Sequence, residues 1–210
     1  MGSIRGSEIE CAYHGWRFNN KGECTDLPCH GLFEKKPKCL VKTYDVIEQD
    51  GWIWITDSLK DVEIAPIRCD KKNPRYWWFD ISYLTNASAD LVLENAMDCA
   101  HTGFVHKGIF RSRPSQFVKV EITSDGQSVL AKTCGEKKSN ERDIRKLVGK
   151  EEIEHTDKYI YPSTIQVDYW YGRSHNVTYV MCTPDKKNQT RVYIRMGLNF
   201  GWLNWLYYPL

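Results

Sequence analysis

Alternating apolar and polar residues, repeated along the second half of the chain, narrow the possible folds more than any other feature. A period of two places the apolar side chains on one face of a β-strand, so each such segment predicts a half-buried strand. The segments cover residues 117–122, 128–132, 159–171, 177–182 and 191–196. We interpret them as strands of a single antiparallel sheet.

A second group of strands is predicted at the start of the chain. The turn tripeptides 20–22 and 49–51 are flanked by aromatic and β-branched residues. The run Trp52-Ile53-Trp54-Ile55 places its tryptophans on one side of a strand and its isoleucines on the other. These signals predict a small antiparallel β domain.

A change in composition separates this β domain from the later strands. The charged stretch 58–74 contains Pro66 and Pro74 and is typical of a connection between domains. We therefore predict a first domain at 1–57, a linker at 58–74 and a second domain at 75–210.

The charge balance argues against a nucleic-acid-binding surface. The chain has 29 basic and 27 acidic residues and a formal charge of +2, without the basic excess that such a surface needs. No apolar run approaches the ~20 residues of a membrane-spanning helix. The start of the chain lacks the apolar stretch of a secretory signal. The eight cysteines are therefore expected to be reduced thiols or metal ligands, and the predicted location is cytoplasmic.

The first candidate site is the string Cys11-Ala12-Tyr13-His14-Gly15-Trp16. A thiol and an imidazole three residues apart, beside a glycine that allows a tight turn, can bind a metal centre from one side. A Rieske cluster needs two such Cys/His loops. A zinc loop that also uses Cys24 or Cys29 fits the same tetrapeptide, and so does coincidence in a cysteine-rich chain.

The second candidate site lies at the end of a predicted helix. This helix begins near Asn86 or Ser88 and continues to about His101. On such a helix Asn95, Asp98 and His101 step by three and share one side. His106 would point about 140° away on a straight helix, so both imidazoles meet one metal only if the helix loosens, as Gly103 permits.

The chemistry of this second string favours iron. Two histidines and a carboxylate on one face, with open positions opposite, are typical of non-haem Fe(II) centres that use oxygen. A core role for the histidines is the alternative explanation.

The residues around both candidate sites carry a resemblance to a known family. Residues 2–18, with Gly22, Cys24 and Pro28 and the strand 50–55, resemble the second half of a Rieske motif. The string Glu94-Asn95-x2-Asp98-x2-His101-x4-His106-x-Gly108 resembles the mononuclear-iron motif of Rieske oxygenases. The chain therefore resembles the large (alpha) subunit of Rieske-type non-haem iron oxygenases, in the vanillate-demethylase-like group.

This resemblance implies roles for particular residues. Cys11 and His14 would bind the [2Fe-2S] cluster, and His101 and His106 would bind a mononuclear Fe(II). Asp98 would be the bridge that carries an electron from the Rieske histidine of a neighbouring subunit. Asn95 would belong to the same catalytic group.

The family pattern also implies ligands that this chain does not contain. None of the ten residues before Cys11 is Cys or His, so the first Cys-x-His loop is missing. The third iron ligand is a carboxylate far downstream in the family. Asp157, Asp168 and Asp185 do not lie in matching surroundings. We therefore expect the chain to be a fragment of such a subunit.

The expected fold is α+β, with an incomplete antiparallel β Rieske domain followed by an incomplete helix-grip catalytic domain. The implied reaction is O₂-dependent hydroxylation or demethylation of an organic, often aromatic, substrate. A reductase or ferredoxin would supply electrons, and the intact enzyme would be a homotrimer that brings Asp98 near a neighbour's His14. The alternatives are an inactive truncated remnant and a small zinc- or iron-binding module without redox activity.

Three other side chains receive structural interpretations. Cys99 is expected to be a small buried filler. His155 and His175 lie in polar strand-end contexts, where surface or structural roles are expected. A further metal cluster is not expected at Cys24, Cys29, His30 and Cys39, because their spacings fit no common zinc pattern.

Overall fold

A computed structural model describes residues 2–28, 39–57, 75–105, 119–137 and 152–201. The chain divides into two compact units, residues 1–65 and 66–210. The predicted linker at 58–74 lies outside the described residues.

The first unit is built from six short strands. They are β1 (Gly2–Arg5), β2 (Glu8–Cys11), β3 (Arg17–Phe18), β4 (Cys24–Asp26), β5 (Asp45–Gln49) and β6 (Trp52–Thr56). The first four form an antiparallel sheet in the order β1-β2-β3-β4, and β5 and β6 form a separate hairpin. The sequence prediction of a small antiparallel β domain is consistent with this arrangement.

The β5–β6 hairpin follows the predicted alternation. Its turn has left-handed backbone at Asp50 (φ 55°) and Gly51 (φ 74°), the conformation that matches the twist of two-residue hairpins. Ile53 and Ile55 are 72% and 66% exposed, whereas Trp52 and Trp54, which alternate with them along the strand, are half-buried. The two faces of β6 therefore differ as the sequence predicted.

The second unit contains one large sheet and two helices. Its elements are β7 (Trp77–Thr85), α1 (Ala89–Met97), α2 (His101–Phe104), β8 (Lys119–Ser124), β9 (Ser128–Lys137), β10 (Glu152–Ile160), β11 (Thr164–Tyr171), β12 (Ser174–Lys186) and β13 (Gln189–Asn199). The seven strands are antiparallel in the order β7-β13-β12-β11-β10-β9-β8. The predicted α+β class and single antiparallel sheet are confirmed.

Helix α1 packs on the middle of this sheet, against β10, β11 and β12. Its buried residue Leu93 contacts a core formed by Ile165, Cys182 and Val192, which are 0%, 2% and 0% exposed. Burial in this core raises the pKa of the Cys182 thiol to about 11, so the side chain behaves as a neutral apolar group. The core fixes the helix that leads into Asp98.

The predicted helix is longer than the observed one. It was expected to continue to about His101, but α1 ends at Met97, and Asp98 has extended backbone (φ −73°, ψ 95°). The break therefore lies at Asp98, before Gly103, which is inside α2. Asp98 and His101 consequently do not share the side of one continuous helix. The cause is local, because the Asp98 carboxylate accepts hydrogen bonds from the backbone amides that follow it.

The sequence between Gly135 and Thr156 is rich in charged residues, and strands extend into it from both sides. Strand β9 continues to Lys137, and β10 begins at Glu152. Glu152 and Lys137 are cross-strand partners in the register of the two strands. Residues 138–151 lie outside the described part of the chain.

A part-buried ion pair joins β7 to β13. Arg195, which is 1% exposed, donates from Nε to Asp80 Oδ1 at 2.6 Å and from Nη2 to Oδ2 at 2.9 Å. The two residues are direct cross-strand partners. The carboxylate fork matches the guanidinium geometry.

Replacing Asp80 with Ala should destabilise the second unit, because it leaves the buried guanidinium without this carboxylate. Breaking a buried pair costs about 3–5 kcal/mol. The Asp80 side chain is 38% exposed, so we expect about 3 kcal/mol, measured by urea unfolding. Glu121→Ala, which breaks the exposed Lys119–Glu121 pair, should cost much less, because exposed ion pairs contribute little to stability. Equal costs for the two variants would contradict this account of the pair.

None of the helices in the described residues has the length and apolar character required to cross a bilayer.

Candidate functional site

Cys11 and His14 lie in the connection between β2 and β3. Cys11 is the last residue of β2 and is exposed, and His14 is in the turn that follows. The Cys11 amide donates to Trp16 O at 2.8 Å, and the Gly15 amide donates to Cys11 O at 2.9 Å. These bonds make a compact loop at the end of a strand pair, with the thiol and the imidazole both part of it.

Gly15 is required by this loop. Its φ of 72° lies in the left-handed region, which side chains rarely adopt. A Cβ at this position would also lie 3.1 Å from Pro28 Cγ. The glycine beside His14 therefore supports the tight turn that the sequence indicated.

Glu10 and Arg17 tie the two strands together below the loop. Arg17 Nε donates to Glu10 Oε2 at 3.1 Å. This hydrogen bond, aided by Arg5, holds the pKa of the Glu10 carboxyl below its usual value. A lowered carboxyl pKa means that the pair supports the fold above the unfolded-state pKa, and that support is lost as pH falls through the lowered value.

Asp98 organises the link between α1 and α2. Its amide donates to Glu94 O at 3.1 Å, which ends the first helix. Its Oδ1 accepts from the Ala100 amide at 2.8 Å and, more weakly, from the His101 amide at 3.4 Å. Asn95, in the last turn of α1, also contributes its carbonyl oxygen, at 3.4 Å from the Asp98 amide. The two predicted catalytic residues, Asn95 and Asp98, and the predicted iron ligand His101 thus lie close together at the end of α1 and the start of α2.

His101 has a defined tautomer in this arrangement. Its Nδ1 lies 2.5 Å from the backbone oxygen of Asp98. A carbonyl oxygen can only accept, so Nδ1 carries the proton and the lone pair of the neutral ring is on Nε2. Metal-binding histidines commonly donate their second ring N–H to a backbone carbonyl in this way. The geometry of His101 fits a metal ligand that binds through Nε2.

His106, the other predicted iron ligand, lies outside the described residues. Among the residues described, no three His, Cys, Asp or Glu side chains come together as a metal-binding group. Of the two predicted iron ligands, His101 is the one that lies within the described residues.

Cys99 was expected from the sequence to be a small buried filler, but its thiol makes a specific contact with the sheet. It is half-buried, and its thiol lies 2.9 Å from Asp157 Oδ2 on β10. Asp157 Oδ1 lies 3.0 Å from His155 Nε2. The two sheet residues are 2% and 1% exposed, so His155 has the buried structural role that was one of its two expected interpretations.

Sequence reasoning missed this connection between the link and the sheet. His155 and Asp157 are two apart on one strand, which places them on the same face. That spacing is visible in the sequence. The contact with Cys99, 58 residues away, depends on tertiary packing.

The opposite face of the sheet carries a second polar chain. Tyr76 Oη lies 2.6 Å from His175 Nδ1, and His175 Nε2 lies 2.9 Å from Asp168 Oδ1. Gln166 donates to the other carboxylate oxygen of Asp168 at 2.8 Å. Trp170 stacks on the His175 ring. His175 therefore has a structural role, as one of the two sequence interpretations expected, and Asp168 is engaged away from the Asp98–His101 link.

Comparison with known protein families covers both units. Residues 1–45 match the Rieske [2Fe-2S] domain. Residues 85–204, more than half of the chain, match the vanillate O-demethylase oxygenase C-terminal domain. The order of the two matches is the order that the two candidate motifs have in the sequence.

Several characterised proteins are similar in sequence. Chlorophyllide a oxygenase of Arabidopsis thaliana is 28% identical, over 96% of this chain and 36% of its own length. Methylxanthine N1-demethylase of Pseudomonas putida is 31% identical, over 51% of this chain and 31% of its own. Cholesterol 7-desaturase of Bombyx mori is 46% identical, over 50% and 23%. The chain thus spans about a third or less of the length of these relatives.

Solved structures share the fold. Dicamba monooxygenase bound to dicamba superimposes with a TM-score of 0.72 at 19% identity, over 95% of this chain and 62% of that one. NdmA of Pseudomonas putida with caffeine gives 0.72 at 20% identity, over 94% and 57%. At these identities the likeness establishes the fold.

The two matched domains are those of an iron-dependent class of oxidoreductases. The chain belongs to the Rieske non-haem iron oxygenase family and has a C-terminal domain of the vanillate O-demethylase type. Membership implies two cofactors, a [2Fe-2S] cluster and a mononuclear iron. The resemblance drawn from the two sequence motifs is confirmed.

Proposed function

We propose that this chain belongs to an oxygenase that uses O₂ to hydroxylate or demethylate an organic substrate. The observation that carries the proposal is the His101 ring, whose Nδ1 donates to the Asp98 carbonyl at 2.5 Å. This arrangement leaves Nε2 as the nitrogen suited to iron. Mononuclear iron, when bound, supplies the activation of O₂, and the [2Fe-2S] cluster supplies electrons.

We assign the ligands by the positions of the family motifs. Cys11 and His14 hold one side of the cluster, and their loop is stabilised by the Cys11–Trp16 and Gly15–Cys11 backbone bonds. His101 and His106 hold the mononuclear iron. The remaining ligands of each centre come from outside the described residues.

Asp98 has two tasks in this proposal. Its Oδ1 fixes the link by accepting from the Ala100 amide at 2.8 Å, and its carbonyl orients the His101 ring. Asp98 is also the bridge for electron transfer from a neighbouring subunit's cluster. This second task requires a homo-oligomer, which we propose to be a trimer. Asn95, one turn earlier in α1, belongs to the same group.

Substrate and electron donor are proposed at the level of chemical class. Similar proteins include a methylxanthine N1-demethylase and a cholesterol 7-desaturase. We propose an organic substrate, with an aromatic ring as the first choice, and a reductase or ferredoxin as the electron donor. A cytoplasmic location stays a prediction.

The proposal is tested with Asp98→Asn in the product of the complete coding region. The amide oxygen can still accept from the Ala100 amide, so the link keeps its fold, but the carboxylate is lost. Reduced wild-type and variant proteins are mixed with O₂ and with theobromine, dicamba or cholesterol as probe substrates. Oxidation of the cluster is followed by absorbance, and products are identified by mass spectrometry. We expect a hydroxylated or demethylated product from the wild type and a much slower cluster oxidation in the variant. Equal rates of cluster oxidation in both proteins would contradict the role of Asp98.

A further inference from the structure

The carboxylate of Asp157 connects the large sheet to the three-residue link between α1 and α2. Asp157 is on β10 and is 2% exposed. Its Oδ2 lies 2.9 Å from the Cys99 thiol. Cys99 stands between Asp98 and Ala100, one residue from the proposed electron-transfer bridge and two from the proposed iron ligand His101.

The direction of each hydrogen bond in this network follows from chemistry. Cys99 donates its S–H to Oδ2, and a ring N–H on Nε2 of His155 can donate to Oδ1, at 3.0 Å. The His155 Nδ1 then accepts from the Thr133 hydroxyl, 3.4 Å away. A consistent set of donors and acceptors joins β9, β10 and the link.

The network is also held by packing. Thr133 is 3% and His155 1% exposed. The His155 ring stacks on Tyr169 with centroids 4.1 Å apart and planes within 5°, and Thr133 and Tyr169 are its cross-strand partners. Buried polar networks whose members are hydrogen-bonded make a structure rigid and specific. Asp157 is therefore a fixed point on the sheet.

The Asp98 side chain acts within the link. In the described part of the chain, its hydrogen bonds are to the Ala100 and His101 amides. They set the internal shape of the link, and the contact of Cys99 with Asp157 sets its position over the sheet.

We infer that Asp157, acting through Cys99, is a positioning residue for the iron centre. The inference rests on the proposed function of Asp98 and His101. Displacements of about 1 Å at a catalytic site can cost roughly 100-fold in rate, so a fixed point one residue from Asp98 has a functional consequence beyond stability.

A role for Asp157 as an iron ligand is disfavoured by its contacts. One oxygen accepts from His155 and the other from Cys99. Among the described residues no three potential ligands converge on it or elsewhere. The carboxylate acts on the link and through it on His101.

The test compares four variants of the complete protein. Asp157→Ala and Cys99→Ala remove the contact, and Cys99→Ser keeps a donor at the same position. Asp168→Asn is the matched control, because Asp168 is also buried, at 6% exposed, and is bonded to His175 on the opposite face of the sheet. Amide hydrogen exchange of residues 98–101 is measured in the iron-free proteins, and the EPR spectrum of the ferrous nitric oxide adduct is measured after iron loading.

We expect faster exchange at 98–101 and an altered EPR line shape in both alanine variants. Iron affinity should fall by up to roughly 10-fold, less than the loss that follows removal of a group hydrogen-bonded directly to a metal ligand. Cys99→Ser should restore both signals, and Asp168→Asn should leave both at the wild-type values. Unchanged exchange and line shape in Asp157→Ala and Cys99→Ala would overturn the inference, and so would equal changes in Asp168→Asn.

The two measurements separate this inference from the proposed function. If the wild type binds no iron, the proposed function fails. The exchange data then still report whether Asp157 holds the link. If the wild type binds iron and the alanine variants match it in both readouts, the function stands and the positioning role falls.

Discussion

His101→Ala should lose the mononuclear iron and keep the iron–sulfur cluster. His101 Nδ1 donates to the Asp98 carbonyl, and we propose that Nε2 binds the iron, so removal of the imidazole should remove a direct ligand. Loss of a residue that is hydrogen-bonded to a metal ligand lowers metal affinity by roughly 10–100-fold, so loss of the ligand itself should exceed that range. The measurement is Fe(II) affinity by equilibrium dialysis, with acid-labile sulfide determined in the same samples.

His175→Ala is the matched control for this prediction. His175 is a hydrogen-bonded histidine of the same unit, but its partners are Tyr76 and Asp168. Its removal should cost stability and leave iron affinity unchanged. Iron binding of wild-type strength in His101→Ala would contradict the assignment of His101 as a ligand, whereas loss of sulfide together with iron would indicate general unfolding.

Leu93→Ala should destabilise the second unit more than any change on the exposed side of α1. Leu93 is 8% exposed and packs on Ile165, Cys182 and Val192. Truncation of a buried leucine costs about 2–5 kcal/mol, because transfer energy is lost and a cavity is left. The measurement is urea unfolding followed by tryptophan fluorescence.

The same helix supplies the control. Leu91 lies two residues earlier and is 59% exposed, so Leu91→Ala should change the free energy of unfolding by less than about 0.5 kcal/mol. Because α1 leads directly into Asp98, Leu93→Ala should also weaken iron binding, and Leu91→Ala should not. Equal destabilisation by the two substitutions would contradict the packing of α1 described here.

The strands were predictable because their signal is local. The predicted segments 159–171 and 191–196 do lie in β10, β11 and β13, although burial does not alternate strictly, since Thr164 and Ile165, neighbours in β11, are both buried. The bounds shifted where pairing extends a strand beyond its apolar pattern. β9 includes Lys137, for example, because it pairs with Glu152 on β10.

The helix break was not predictable from periodicity. Residues 91–101 keep a helical spacing of polar groups, yet α1 ends at Met97. The side chain of Asp98 competes for backbone amides that a continuing helix would use. An Asp followed by Cys-Ala-His offers this option, but sequence spacing alone does not show that the option is taken.

The order of the two candidate motifs along the chain agrees with the order of the two matched domains. The roles of Cys11, His14, Asp98 and His101 within these motifs stay predictions. The supporting residues Thr133, His155 and Asp157 were not predicted, because they join the Asp98–His101 link only through pairing of β9 with β10 and packing of Cys99 on the sheet. Contacts of this kind arise from tertiary structure.

We propose that this chain supplies ligands to a [2Fe-2S] cluster and to a separate iron. The most direct test of this proposal is the ratio of iron to acid-labile sulfide in the purified product of the complete coding region. A [2Fe-2S] cluster contains the two in equal amounts, so an additional mononuclear centre predicts iron in excess of sulfide. His101→Ala should bring the ratio to equality, and Cys11→Ser should remove the sulfide. Bound zinc without sulfide would contradict the account and favour a zinc-binding module.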